Sequence, residues 1–386
     1  MVLGLPDKAD FAIPIPELAE QSSFRGVYLN NLLLYRSNSA LLQRSLLKIF
    51  LLCLLFLNLS KVSLGQASSS LVEKETVVTP LPTEDINGPC YYFLKIPQGK
   101  GEIRGVWLIF DRGRDVHDLA SDPDVLTFAR RFDLALLLQS HCPGKLAADH
   151  EDMNMEPAEG LGPSLWRALD QFAQETNHPE LSKADLLLLG FSGAGPLTGR
   201  FIAEYPNRII AGVLSAPGHF PPQGINTVKL NRNAQQIPEL IIAGGADDRS
   251  GTRLPYEYFR KYRQLGAPWT FVVQNRSPHC CTANVKLLML DWLSAVLNQR
   301  MPSRAGLPLR QIADNGSWLG FIHTEPTSIQ DAFHFNTFDV TNAEIRRAKA
   351  REPGETQDAS WLPNALVARE WLSFVEQKSH PILPLR

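Results

Sequence analysis

The sequence predicts an α/β fold: a mostly parallel central sheet with helices on both faces. Three observations carry this. Short, continuous apolar runs alternate with helical patterns along residues 91–302. Glycine, proline or polar turns bound each run, as strands buried on both faces require. The polar residues that could do chemistry fall just after those runs, at the carboxyl ends where parallel sheets place their sites.

The elements follow in order. Residues 91–96 form a short apolar strand and residues 105–110 (GVWLIF) a buried one. Residues 123–132 read as a helix, 134–138 (LALLL) as a strand and 165–176 as an amphipathic helix. Residues 185–189 (DLLLL) and 209–214 (IIAGVL) are strands flanking a helix at 196–205. Residues 240–243 (LIIA) and 270–273 (TFVV) are strands on either side of a helix at 255–265, and residues 285–297 form a strong closing helix.

The flanking segments divide the rest. Residues 44–48 are basic, 49–59 almost wholly apolar, and Gly65-Gln66-Ala67 offers small residues. That order predicts a secretory signal over 44–67 and a secreted or periplasmic protein with no stable membrane span after cleavage. The apolar run is shorter than the roughly 18–20 residues a span needs. Residues 1–43 precede it and read as a mis-assigned start or disordered leader. Residues 68–90, rich in Ser, Thr and Pro, read as a leader into the domain.

Residues 303–386 lie beyond the alternating pattern and read as a helical extension. Thr341-Asn342-Ala343-Glu344 fits a capping box for a helix through Ala350. Pro363 precedes a second helix at 364–375. The two Trp-bearing segments around Trp318 and Trp361 could pack on a helix or sheet edge, or fold over the site.

The composition is that of a globular protein, with 44% hydrophobic and 20% charged residues, and the net charge of -2 comes without a dense basic run. This gives no electrostatic footprint for nucleic acid. The cysteines lack the paired spacing of a zinc site. If exported, Cys90, Cys142, Cys280 and Cys281 could pair in three ways.

The chemistry centres on Gly190-Phe191-Ser192-Gly193-Ala194. A buried strand runs into a Ser flanked by small residues, and a helix follows. A turn this tight needs strained backbone at Ser192 and small neighbours at 190 and 194. The helix start offers N–H groups to a developing oxyanion, with Gly193 first. A Ser hydroxyl needs a base, and the base an orienting acid. The strand at 240–243 ends in glycines followed by Asp247 and Asp248; Asp247 is preferred, with Asp248 the alternative. His279 follows the strand at 270–273 and can reach back over the sheet. His141 and His219 also stand after strands, as possible pocket residues.

Together Ser192, Asp247 and His279, in the order Ser, acid, His, resemble the α/β-hydrolase superfamily over residues 90–300. The esterase branch, with dienelactone-hydrolase-like and polyester-depolymerase-like members, is the most similar. The resemblance implies a carboxylic-ester hydrolase working through an acyl-enzyme on a small-molecule or polymeric ester, with no metal or cofactor. It places the second oxyanion donor in the loop Asp111-Arg112-Gly113, where the expected His-Gly pair is replaced. A prolyl-oligopeptidase-type serine peptidase or an inactive binding protein on the same fold are the alternatives. A bridge from Cys280 or Cys281 to Cys142 would brace the His279 loop; free buried thiols are the other expectation.

Overall fold

A computed structural model describes residues 71–97, 101–111, 114–142, 157–218, 220, 227–313, 316–326, 337–348 and 358–380. All lie in one compact unit, Ser68–Arg386. The start and signal segments expected before residue 68 fall outside the described residues.

Eight strands form the central sheet: β1 (Leu71–Val78), β2 (Cys90–Pro97), β3 (Gly105–Phe110), β4 (Leu134–Ser140), β5 (Asp185–Phe191), β6 (Ile209–Ser215), β7 (Glu239–Gly244) and β8 (Trp269–Gln274). Their spatial order is β1-β2-β4-β3-β5-β6-β7-β8. From β4 to β8 every pairing is parallel; β1 and β2 are antiparallel. The helices longer than two turns are α1 (Pro123–Arg131), α2 (Leu161–Glu175), α3 (Ala194–Glu204), α4 (Arg253–Arg263), α5 (Lys286–Arg300) and α6 (Ala365–Val375). This is the α/β-hydrolase fold expected from the sequence.

Physical chemistry explains the match. Every residue of β3, β5, β6, β7 and β8 is buried. Leu186, Leu187, Leu188 and Leu189 are each 0% exposed, and each buried Leu contributes about 1.5–3 kcal/mol. Such strands must lie between two helical layers. α1 starts where expected because Asp122 caps it, accepting from the N–H groups of Asp124 (2.9 Å) and Val125 (3.3 Å).

Three expectations need correction. The leader 68–90 contains β1, whose LVEKETVV sequence is largely exposed and so lacks the apolar run of the inner strands. The extension is not wholly helical. The helix at its end is present as α6, capped by Asn364 Oδ1 on the Val367 N–H (2.9 Å). Thr341 to Glu344, however, lies within β10 (Phe338–Arg347), which joins β9 (Trp318–Pro326) and β11 (Ser360–Leu362) in an antiparallel sheet ordered β10-β9-β11. Pairing with β9 along the register Ala343 to Ile322 and Ile345 to Gly320 overrides the local helix signal.

The third correction concerns the cysteines. Cys142 bonds Cys90, and Cys280 bonds Cys281, with Cα atoms 4.2 Å and 3.7 Å apart. Antiparallel pairing of Tyr91 with Ser140 brings the end of β4 to the start of β2. β4 and β8 are instead five inter-strand spacings apart, about 24 Å, beyond the reach of a disulfide.

The extension covers the β8 edge of the sheet. Ser360 Oγ accepts from the Phe271 N–H (2.9 Å) and donates to its carbonyl (3.2 Å), and Trp371 Nε1 donates to the same carbonyl (2.8 Å). Thr270 Oγ1 donates to the Trp361 carbonyl. The edge N–H and carbonyl of Phe271 on β8 are thus paired within the chain.

Replacing Cys90 and Cys142 by Ser should lower unfolding free energy by about 2–4 kcal/mol, since that bridge closes a long loop of separation 52. Replacing Cys280 and Cys281, which close almost no loop, should leave global stability near the parent value. Urea denaturation of both variants checks this; equal losses would contradict it.

Candidate active site

Only Ser192 and Gly193 separate β5 from α3. So short a reversal holds Ser192 at φ 53°, a left-handed conformation that costs a residue bearing Cβ about 1–2 kcal/mol. The small neighbours are required sterically. A Cβ on Gly190 would lie 2.2 Å from the Ala194 carbonyl oxygen, and one on Gly195 would lie 2.4 Å from Pro217 Cβ. Backbone bonds fix the turn: the Ser192 N–H donates to the Ser215 carbonyl (3.0 Å), and the Ser192 carbonyl accepts from Gly195 (2.9 Å) and Gly218 (2.7 Å).

The acid comes from the turn after β7. Asp247 is 0% exposed, and its Oδ1 accepts from the N–H groups of Arg249 (2.9 Å) and Ser250 (2.8 Å). These bonds turn the carboxylate inward and leave the neighbouring Asp248 exposed. The alternative acid is therefore not brought to the site. His279 follows β8 through a loop tied to the acid turn: Gly245 donates to the Gln274 carbonyl (2.8 Å) and Ala246 to the Ser277 carbonyl (2.9 Å).

These turns assemble a hydrogen-bonded chain. His279 Nδ1 lies 2.8 Å from Asp247 Oδ2, and its Nε2 lies 2.8 Å from Ser192 Oγ. The His279 side chain is 8% exposed, with the Phe191 ring against it at 5.1 Å between centroids. With Nδ1 donating to the carboxylate, Nε2 carries the lone pair that faces the Ser192 hydroxyl. Such an arrangement can take a proton from the hydroxyl and return it to a leaving group.

One partner was missed from sequence. Ser250 Oγ lies 3.3 Å from His279 Nδ1, so the imidazole has two oxygen neighbours on that side. Ser250 is buried, 3% exposed. Its position three residues after an Asp at a strand end, within Asp-Asp-Arg-Ser-Gly, is the kind of local turn signal that could have found it.

The oxyanion expectations divide. Gly193 precedes the first residue of α3, so its N–H stands at the helix N-terminus. Asp111 is not such a donor: its N–H extends the sheet to the Gln139 carbonyl (2.9 Å), and its carboxylate holds His117 Nδ1 (2.8 Å). Arg112 and Gly113 lie outside the described residues, as does His219. His141 is exposed and its ring neighbours Tyr91 of β2 (6.0 Å), on the side of β4 away from β5.

A cavity of about 620 Å³ lies at the opposite, amino ends of β5 and β6, lined by Asp185, Arg208 and Arg300. Burial pushes the Asp185 carboxyl up to about 6 and the Arg300 guanidinium down to about 10. Arg300 donates to the Ile209 and Arg310 carbonyls and Arg208 to that of Ala184, so these cations are committed to packing. Among the described residues no group of His, Cys, Asp and Glu could hold a metal, and no helix is long and apolar enough to cross a membrane.

No family model matches the sequence, and no curated protein matches it. Solved structures do resemble it. An S-formylglutathione hydrolase from Staphylococcus aureus shares 14% identity over 60% of this chain and 98% of that one, with a TM-score of 0.43. A cold-adapted esterase from an Arctic intertidal metagenomic library shares 18% identity over 61% and 97%, with a TM-score of 0.41. An esterase from Pyrococcus furiosus shares 16% identity over 60% and 94%, with a TM-score of 0.42.

Gly190→Ala should destabilise the fold by about 3 kcal/mol or prevent folding, because the added methyl meets backbone that cannot move without opening the Ser192 turn. Thermal denaturation of the variant reads this; an unchanged midpoint would show the turn to be looser than its contacts indicate.

Proposed function

We propose that the protein is a serine hydrolase that cleaves carboxylic esters through an acyl-enzyme. The observation that carries the reading is the Ser192–His279–Asp247 chain, with both links at 2.8 Å, on a strained turn at the head of α3. Ser192 Oγ attacks the acyl carbonyl while His279 Nε2 takes its proton. The negative charge on the tetrahedral oxygen falls beside the Gly193 N–H and the amino end of α3. His279 then gives its proton to the departing alcohol. Water repeats the sequence on the acyl-enzyme, with His279 again as base, and frees the acid and Ser192.

Asp247 transfers no proton in this sequence. Its full burial, two backbone donors and contact with Nδ1 suit it to fix the imidazole tautomer and to stabilise the transient imidazolium. No step calls for a metal or cofactor. We place the protein outside the cytoplasm; the signal-like segment at 44–67 and the two disulfides support an oxidising compartment.

The test is active-site labelling with a fluorophosphonate probe, mapped by mass spectrometry, alongside hydrolysis of p-nitrophenyl esters of graded acyl length. Labelling should fall on Ser192 and vanish in Ser192→Ala. Asp247→Asn should lower kcat by roughly 10⁴-fold, whereas Asp248→Asn should leave it within about twofold, as befits an exposed neighbour. A folded protein that neither labels nor cleaves any ester would overturn the proposal. Cleavage of peptides in preference to esters would move it to the peptidases.

A further inference from the structure

The loop that carries His279 is held less by the central sheet than by the C-terminal segment. Asn275, four residues before His279, is 1% exposed. Its Nδ2 points at the carbonyls of Val340 (3.0 Å), Val375 (3.0 Å) and Gln377 (2.8 Å), and its Oδ1 accepts from the Val340 N–H (2.8 Å). The Asn275 carbonyl accepts from the His380 N–H (3.1 Å). The side chain of this buried amide is thus committed to β10 and to the residues around the end of α6.

The next residue repeats the pattern. Arg276 has φ 56°, a left-handed conformation that a residue with a side chain leaves unless something holds it. Its N–H donates to Asp339 Oδ1 (2.8 Å). The same oxygen closes on the acid turn, where a Cβ on Gly245 would lie only 1.9 Å away. One residue earlier, the Phe338 N–H donates to Thr252 Oγ1 (3.4 Å), which itself donates to the Gly244 carbonyl (2.6 Å). The start of β10 therefore touches both the turn that presents Asp247 and the loop that presents His279.

We propose that Asn275 and Asp339 are positioning residues, and that residues 337–348 and 358–380 brace the Asp247–His279 pair. This rests on the reading of that pair as part of a hydrolase triad. The apolar cover of β8 is already supplied by Trp361 and Trp371. The polar contacts at 275, 276 and 339 fall instead on the irregular backbone beyond β8, where a shift of about 1 Å is enough to lower turnover by up to 10²-fold. Asp339 is the shared point: one carboxylate oxygen fixes the Arg276 amide and abuts Gly245, so it sets the spacing between acid and base turns.

The test uses the full chain with Asp339→Ala, Asp339→Asn and Asn275→Ala. Three quantities are read: kcat and KM on a short p-nitrophenyl ester, the rate of fluorophosphonate labelling, and amide hydrogen exchange in peptides covering 244–250 and 274–281. Asp339→Ala should lower kcat about tenfold with KM within twofold, slow labelling in parallel, and speed exchange in both loops. Asp339→Asn keeps the accepting Oδ1 and should recover most of the loss. Asn275→Ala should have the larger effect of the two alanine variants. Because Asp339 is half-buried and its loop contact is exposed, its variants should fold even if Asn275→Ala does not. An Asp339→Ala protein with parental kcat and exchange would overturn the brace, as would an Asp339→Asn variant as impaired as the alanine. If the parent neither labels nor hydrolyses, the hydrolase reading fails, and the exchange data alone decide whether the segment holds the two loops.

Discussion

The reversal of the chain at Ser192 is the constraint on which the rest depends. A strand must pass into a helix across two residues, and the left-handed conformation this imposes on Ser192 persists only if its surroundings over-determine it. Gly190 gives room for the Ala194 carbonyl, and Gly195 gives room for Pro217. The fully buried β5 anchors one side, and the bonds to the Ser215 carbonyl and from the Gly218 N–H anchor the other. Strain stored at this point is held by fully buried core strands, where neighbouring side chains cannot relax into a gap.

From that fixed point the other two groups must be brought in over a distance. The acid and the base stand at the ends of β7 and β8, the two strands farthest along the parallel half of the sheet. A parallel sheet aligns strand ends, so loops from neighbouring strands meet above one edge. Alignment alone leaves loop backbone free to move. Here the acid turn satisfies its carboxylate internally through Arg249 and Ser250, and the base loop is joined to it by two backbone bonds. The antiparallel sheet then serves two needs at once, since it pairs the open edge of β8 and reaches the loops beyond that edge. The opposite edge is closed more simply, by the exposed, charged β1.

Legibility followed burial. Strands buried on both faces write themselves as apolar runs, which is why β3 and β5 through β8 read within one or two residues. Strands with an exposed face do not: β1 carries Glu73, Lys74 and Glu75 in its middle, and β10 mixes Asp339, Thr341, Asn342 and Glu344 among Phe338, Val340 and Ala343. In β10 a local helix-start signal lost to pairing with β9, because cross-strand partners distant in sequence supply more buried contact than a cap can offset. The cysteine pairing was illegible for a related reason. It depends on sheet order, which places β4 beside β2 and far from β8.

The sequence by itself determined the α/β class, the Ser192 turn with its small neighbours, and the order Ser192, Asp247, His279. Each of these is a local property: a run of apolar side chains, a steric limit within five residues, or a residue type after a strand end. Only the tertiary structure decided that Asp247 rather than Asp248 faces His279, that Ser250 shares Nδ1, that Asp111 spends its N–H on the sheet, and that Cys142 meets Cys90. Only it showed the extension bound to β8 and to the loops after β7 and β8. Those facts turn on which way a side chain points and which strands are neighbours, and both are fixed by packing between segments that lie far apart in the chain.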